Sequence, residues 1–366
     1  MSVVFFISGH GFGHASRQVE ILNALVVKRP DVAIIIRSAA NASLLKRTVK
    51  AKYELRPGPC DSGIVQSTSV AHDDEATTQA AIAFYSTFDR RIEHEAASLE
   101  RDDVHLVVGD IPPLAFPVAA RLGVPSIAIG NFTWDWIYET HPGLTQTAPW
   151  LVPAIRRAYG DATRALELPF PGGFDLFPNA ERLPFVARRP TQSREDTRAF
   201  FRIPGERPAT LLSFGGYGMP SLDLSKADCH DWTIVATDRI LSRPAGTRSD
   251  QVVYLEEQQF LNGRFRYEDL VAAVDAVITK PGYGIVSEGI ACRTPILYTS
   301  RGDFREYDVI VRDMPRYVRC LYISQDDLFA GRWRQSLDAL VTQPLPPETP
   351  ATNGADVAAN LICEFL

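Results

Sequence analysis

GHGFGHASR, residues 9–17, is the stretch on which the reading of this chain turns. VVFFI at 3–7 precedes it, with the length and β-rich composition of a strand buried on both faces. QVEILNAL at 18–25 follows, with apolar residues at helical spacing. The stretch is therefore a glycine-rich turn from strand to helix at a first βα junction. In an open α/β sheet, ligands bind in the crevice beyond the carboxyl ends of the strands. Gly9, Gly11 and Gly13 allow tight turning and close backbone approach, and His10, His14 and Arg17 are carried towards that crevice. The spacing misses the dinucleotide fingerprint G-x-G-x-x-G/A, because Ser16 or Arg17 stands where the third glycine belongs. Nor does an acidic residue end the second strand, since Ile34-Ile35-Ile36 runs into Arg37-Ser38. A nicotinamide dinucleotide is not the expected ligand.

Outward from that turn, strands and helices alternate. Residues 31–36 read as a second strand and 41–48 as a helix, while 55–80 read as a long polar loop. Helical period over 76–99 predicts one long, partly exposed helix. VHLVV at 104–108 is a buried strand with Asp110 at its tip; 114–122 is a helix; 125–129 is a strand ending in NFTWD at 131–135. This rhythm predicts a parallel sheet covered on both faces. RRPTQS at 188–193 breaks the composition and reads as a linker, before a helix capped near Ser193 with acidic residues in its first turn. The rhythm then restarts with a strand at 210–214 leading into Gly215-Gly216. Further strands are expected at 232–237, 252–255, 276–279 and 295–298, helices at 267–274 and 285–292, and a closing helix at 356–366. The expected fold is α/β, with Rossmann-like domains at 1–187 and 193–350 facing one another across a cleft, and a C-terminal helix in 351–366.

Composition narrows the class. The 366 residues are enough for two domains with sizeable cores. A hydrophobic share of 45% and a charged share of 22% are those of a soluble globular protein. The net charge of -6 argues against nucleic acid or an anionic membrane as the main partner. The cysteines Cys60, Cys229, Cys292, Cys320 and Cys363 are odd in number and lack paired spacing, as expected of reduced thiols in a cytosolic protein. The N-terminus shows no signal-peptide pattern, and no apolar run reaches the roughly 18 residues of a spanning helix. A cytoplasmic location is expected. The oligomeric state is not legible.

A second glycine turn, KPGYGIVSE at 280–288, carries chemical content. Gly282, Tyr283 and Gly284 lead into a helix whose first amides suit a phosphate or diphosphate. Ser287 and Glu288 lie one turn in. Glu288 either accepts hydrogen bonds from a ribose hydroxyl pair or is a first-turn acid favoured by the helix dipole. Gly215-Gly216 offers another backbone turn to phosphate.

Tandem Rossmann-like halves with glycine turns at their strand ends resemble the GT-B fold of nucleotide-sugar glycosyltransferases. GHGFGHASR at 9–17, NFTWDWIY at 131–138 and KPGYGIVSE at 280–288 resemble the glycosyltransferase-like N-terminal region of plant L-arabinokinase, with a weaker match at DDLFAGRW, 326–333. The match does not extend to a kinase portion, and no P-loop is present, so sugar kinase activity is not carried over. The turn Gly11-Phe12-Gly13-His14-x-x-Arg17 is also similar to that of the UDP-sugar hydrolase of pseudaminic acid synthesis and to a turn in the N-acetylglucosaminyltransferase that makes lipid II. The resemblance implies His14 as base and Glu288 on the nucleotide ribose. It also implies donor-sugar contacts from RGDFREY at 301–307, including Asp303 and Glu306; Glu306 stands where glutamine or asparagine is often found.

The expected reaction moves a sugar from a nucleoside diphosphate sugar, UDP-linked, to an acceptor hydroxyl. The Gly215-Gly216 and Gly282–Gly284 amides would stabilise the leaving diphosphate. No cofactor is expected, and no metal, since no Asp-x-Asp pair is placed as a clamp. Asp110 either orients His14 as the third member of a triad does or caps its own turn. His10 is expected beside the acceptor, Arg17 against a substrate phosphate or carboxylate, and Asn131, Trp134 and Asp135 along the acceptor pocket. Two alternatives stay open: a hydrolase using water as acceptor, and a nucleotide-sugar-binding protein that does not turn over.

Overall fold

The computed structural model describes residues 1–215, 218, 219, 221–237, 251–260 and 263–366. In chain order its elements are β1 (Ser2–Ile7), α1 (Gly13–Lys28), β2 (Ala33–Ser38), α2 (Ala42–Thr48), β3 (Tyr53–Pro57), β4 (Gln66–Thr68), β5 (Ala71–His72), α3 (Asp74–Tyr85), α4 (Phe88–Leu99), β6 (Val104–Asp110), α5 (Ala115–Leu122), β7 (Ser126–Phe132), α6 (Trp134–Glu139), α7 (Pro142–Thr147), α8 (Leu151–Tyr159), β8 (Arg164–Gly172) and β9 (Glu181–Arg182). They continue with α9 (Arg194–Phe201), β10 (Ala209–Ser213), β11 (Thr233–Thr237), β12 (Val252–Leu255), α10 (Tyr267–Ala273), β13 (Ala276–Thr279), α11 (Tyr283–Cys292), β14 (Ile296–Tyr298), α12 (Arg305–Asp313), β15 (Cys320–Tyr322), α13 (Gln325–Phe329), α14 (Arg334–Val341) and α15 (Gly354–Cys363).

The chain forms two compact units. Unit 1 takes residues 1–65, 73–187 and 351–366. Its sheet has the order β3-β2-β1-β6-β7-β8-β9, parallel throughout. All six residues of β1 and all seven of β7 are buried, which is why they read as unbroken apolar runs rather than alternating ones. Phe5 and Phe6 are fully shielded, and each such side chain contributes about 1.5–3 kcal/mol of burial free energy. Unit 2 takes residues 66–72 and 188–350, with a parallel sheet ordered β12-β11-β10-β13-β14-β15 and the β4–β5 hairpin. Its core packs Leu212, Ile234, Ile278 and Leu297 with Trp232 and Trp333.

Each sheet starts at its centre, runs to one edge and then restarts beside its first strand. The order therefore reverses between β1 and β6 in unit 1 and between β10 and β13 in unit 2. Such reversal points open a crevice at the carboxyl ends of the strands. Ile7 pairs with Asp110 across the first, and Ser213 with Thr279 across the second. Both glycine turns singled out in the sequence leave strands that flank these points.

Several expectations are corrected. The stretch 55–80 is not one loop, since it holds the end of β3, the β4–β5 hairpin and the start of α3, with Asp73 accepting from the Ala76 amide as N-cap. The single helix over 76–99 is two helices, α3 and α4. At the break, the Ser86 and Thr87 hydroxyls turn back to the carbonyls of Ile82 and Phe84, a local competitor for the helical ladder. Unit 1 is not the contiguous span 1–187: residues 66–72 belong to unit 2, where Lys280 Nζ donates to Gln66 Oε1 at 3.3 Å and His72 meets Phe304 edge-on. Residues 351–366 belong to unit 1, where α15 packs on α1. Arg188, read as linker, is an anchoring cation of unit 2, described below. The helix expected after Ser193 is α9, and the Ser193 hydroxyl accepts from the Asp196 amide at 3.0 Å. All five cysteines are free thiols. Among the described residues no helix is long and apolar enough to cross a membrane.

Candidate functional site

In unit 1 the chain leaves β1 at Ser8 and turns through Gly11, whose φ of +69° favours glycine. Gly13 opens α1, so that His14, Arg17 and Gln18 fall on one face of its first turns, at i, i+3 and i+4. That face meets the tip of β6. Asp110 there is fully buried. Its Oδ1 lies 2.8 Å from His14 Nδ1 and accepts from Arg17 Nη2 at 2.5 Å. Its Oδ2 accepts from Arg17 Nε at 2.6 Å and from Gln18 Nε2 at 3.0 Å. Four donors fill the acceptor capacity of one carboxylate.

Burial raises the Asp110 carboxyl, but the Arg17 guanidinium and then His14 outweigh it, and the group is held down at about 2. A carboxylate has no proton to give. Nδ1 of His14 is therefore the donor across the 2.8 Å contact, which leaves Nε2 on the far side of the ring. The pairing fixes both tautomer and ring orientation, the relation of an orienting acid to a base.

Aromatic rings wall the imidazole. Phe132 meets it edge-on with centroids 5.4 Å apart, and Trp134 lies at 6.5 Å, stacked in turn on Tyr138. Trp134 Nε1 donates to Asp61 Oδ2 at 2.8 Å. Burial pushes the Asp61 carboxyl up, against a hydrogen bond from Ser8 and the pull of His14. Asp61 thus belongs to the His14 cluster, and no motif or periodicity marked it, because it lies in the polar stretch read as loop. His10 meets Trp134 edge-on at 5.5 Å, and its Nδ1 accepts from the Ile64 amide at 3.4 Å.

Three of the expected site residues are held in networks of the chain's own. The Arg17 side chain is buried and bonds Asp110 and, through Nη1, Asn131 Oδ1 at 2.5 Å. Asn131, fully buried, helps to orient Arg17. Asp135 is also buried and accepts from Arg156 Nε at 2.9 Å, tying α6 to α8. A buried charge needs such a partner, and in each case it comes from an element distant in sequence. His141 caps α7 through its ring, and His105 bonds the Asp103 carbonyl.

In unit 2, Gly215 lies two residues beyond β10 with φ +75°, while Gly216 lies outside the described residues. Gly282 is the N-cap of α11, with extended backbone at φ -149° that any residue adopts, so neither it nor the helical Gly284 is there for a left-handed turn. The α11 start has no side-chain cap and no acidic residue in its first turn. No capping side chain or first-turn acid therefore answers its positive end. Tyr283 and Ser287 are buried, the latter donating to the Gly284 carbonyl at 2.9 Å. Glu288 is buried as well, and its Oε1 accepts from Arg188 Nε at 2.7 Å; Arg188 also pairs with Glu268 at 3.4 Å. Beyond β14, Arg301 Nη1 donates to Glu306 Oε2 at 2.9 Å, both groups buried, and Asp303 is exposed. Lys280, Arg301 and Gln66 join this cluster without having been singled out in the sequence. Among the described residues no three His, Cys, Asp or Glu side chains gather as a metal site.

No family model matches the chain. It is 26% identical over 371 residues to L-arabinokinase of Arabidopsis thaliana, covering 98% of this chain and 34% of that protein. The chain thus spans about a third of that relative's length. It is 24% identical over 310 residues to the UDP-N-acetylglucosamine--N-acetylmuramyl-(pentapeptide) pyrophosphoryl-undecaprenol N-acetylglucosamine transferase of Clavibacter michiganensis subsp. michiganensis, covering 81% and 76%. Among solved structures, the glycotransferase of kitacinnamycin superposes with a TM-score of 0.68 at 18% identity, covering 100% of this chain and 99% of that one. Two Rossmann-like α/β units on parallel sheets, and this likeness over their whole length, give the chain the GT-B fold of glycosyltransferases.

Proposed function

We propose that the chain is a glycosyltransferase that moves a sugar from a UDP-linked donor to an acceptor hydroxyl, with His14 as base. The observation that carries this reading is the His14–Asp110 pair at the reversal point of unit 1. An imidazole pinned through Nδ1 by a buried carboxylate presents a basic Nε2, and such general-base help is worth on the order of 10²–10⁴-fold. The acceptor O–H proton passes to Nε2 as its oxygen bonds to the anomeric carbon. The bond from that carbon to the diphosphate breaks, and the electron pair leaves with the diphosphate. Asp110 stabilises the imidazolium, and its own bonds to Arg17 and Gln18 keep it ionised.

Unit 2 supplies the donor's side. The uncapped start of α11 offers amides and dipole to the charge developing on the diphosphate, a role that requires no metal. The Clavibacter relative's name gives UDP-N-acetylglucosamine as its substrate, which supports a UDP-sugar here. Glu288 is held by Arg188, so a ribose contact needs an oxygen that this pair leaves accessible.

The test is product analysis. Purified protein is incubated with a panel of UDP-sugars, with and without a mixture of hydroxylated acceptors, and UDP, free sugar and glycoside are quantified. UDP and glycoside appearing together, only with acceptor, is the expected result. UDP with free sugar and no acceptor requirement would make the protein a hydrolase, and no UDP under any condition would leave a binding protein.

A further inference from the structure

Unit 2 gathers two cations, buried Arg301 and half-buried Lys280, around one buried carboxylate, Glu306. Lys280 follows β13 and Arg301 lies just beyond β14, both at the carboxyl ends of the sheet. Arg301 is buried, lies 4.2 Å over the Phe304 ring, and shares Nη1 between Glu306 at 2.9 Å and the Pro281 carbonyl at 3.2 Å. Its Nε is shielded from solvent without a hydrogen-bond partner. Lys280 Nζ donates to a neutral group, Gln66 Oε1, at 3.3 Å. Burial pushes the Lys280 ammonium down to about 7, with Arg301 acting the same way and Glu306 against it. Burial also lowers Arg301, again opposed by Glu306. Arg301 is paired with Glu306, so the charge that Lys280 carries when protonated faces only the neutral Gln66 among the contacts described, and a poorly compensated charge is costly where it is partly shielded from water.

Resting on the sugar-nucleotide reading above, we infer that Lys280 Nζ and Arg301 Nε receive a carboxylate on the donor sugar, so that the donor is a nucleoside diphosphate uronic acid. A neutral hexose presents hydroxyls, which are matched by amides that donate and accept. Here the residue where an amide is expected is Glu306, and its carboxylate is engaged by Arg301. What is left for a ligand is cationic donors. The diphosphate has its own donors at the start of α11, so the charge at Lys280 and Arg301 answers a second anionic group. Gln66, from the β4–β5 hairpin, touches Lys280, and Phe304 touches Arg301, so both flank the position of that group.

The test is calorimetric binding of UDP, UDP-glucose and UDP-glucuronate to the wild-type chain and to Lys280→Met, which removes the half-buried ammonium while keeping a long unbranched side chain. The expected wild-type result is UDP-glucuronate bound tighter than UDP-glucose by about tenfold or more, the size of a charge-assisted hydrogen bond. Lys280→Met should erase that preference and leave UDP affinity within about twofold. Gln66→Leu, distant from both charges in sequence, should weaken the preference in the same sense. Equal affinity of the wild type for the two sugars overturns the inference, as does a Lys280→Met variant that loses UDP itself, since the cluster would then serve the diphosphate. Failure of all three ligands to bind the wild type overturns the sugar-nucleotide reading and this inference together.

Discussion

Replacing Asp110 by Asn tests the unit 1 cluster as a structural and electrostatic whole. The side chain keeps its shape but loses its charge, and the amide that replaces one oxygen now faces donors from Arg17 or Gln18. Arg17, with its side chain 3% exposed, is left as a buried cation without its carboxylate partner. Breaking a buried pair from one side costs about 3–5 kcal/mol. Linkage points the same way: the carboxyl is held at about 2 against an ordinary 3.8, chiefly by Arg17, so the ionised form stabilises the folded state. Because the folded value is depressed, this stability is present above pH 4 and is lost as pH falls towards 2. A loss of about 3–5 kcal/mol in a unit of about 200 residues lowers Tm by roughly 6–20 °C. Urea denaturation followed by tryptophan fluorescence reads it, since Trp134 is buried against His14. Asp110→Asn should shift the unit 1 transition by that amount and flatten the wild type's loss of stability between pH 4 and 2. Arg17→Met combined with Asp110→Asn removes both charges and should cost less than the two single changes added. A loss below about 1 kcal/mol, or strict additivity, would refute the claim that Asp110 is ionised and tightly held.

Two further outcomes follow from unit 2. Arg188→Met leaves Glu288 and Glu268 buried without their shared cation, so the unit 2 transition should lose about 3–5 kcal/mol in denaturant; an unchanged midpoint would mean that neither glutamate relies on Arg188. Lys280, lowered from 10.5 to about 7, makes the unfolded chain bind more protons than the folded one between those values. Stability should therefore rise with pH across that window, while anion binding at Lys280 should weaken as pH passes 7. Lys280→Met should remove both slopes, and a wild-type stability that is flat from pH 7 to 10 would contradict them.

Much of the fold was legible because parallel strands covered on both faces must be apolar along their length. VVFFI, VHLVV and TLLSF announced β1, β6 and β10 in that way, and the turns after them located the reversal points. His14 and Asp110 were legible for the same reason, since one opens the first helix and the other ends the neighbouring strand. What Arg17, Asn131 and Asp135 do was not legible. Their identities advertise polar chemistry, but their partners Asp110, Arg17 and Arg156 are fixed only by packing. Asp61 and Gln66 lie in a stretch without periodicity, so nothing local marked either. Nor did the sequence mark α6–α8 or β8: the helices are short, and β8 is interrupted by Pro169 and Pro171. Arg188 read as linker because charge and proline there resemble a solvated hinge, whereas Glu288 and Glu268 draw its side chain into unit 2.

The central claim is that the imidazole of His14 takes the acceptor's proton in a sugar transfer. Its most direct test is the turnover number of His14→Ala with a saturating UDP-sugar and acceptor, measured beside the dissociation constant for UDP. The account predicts a fall in kcat on the order of 10²–10⁴-fold with UDP affinity unchanged. A variant that turns over at the wild-type rate would contradict it.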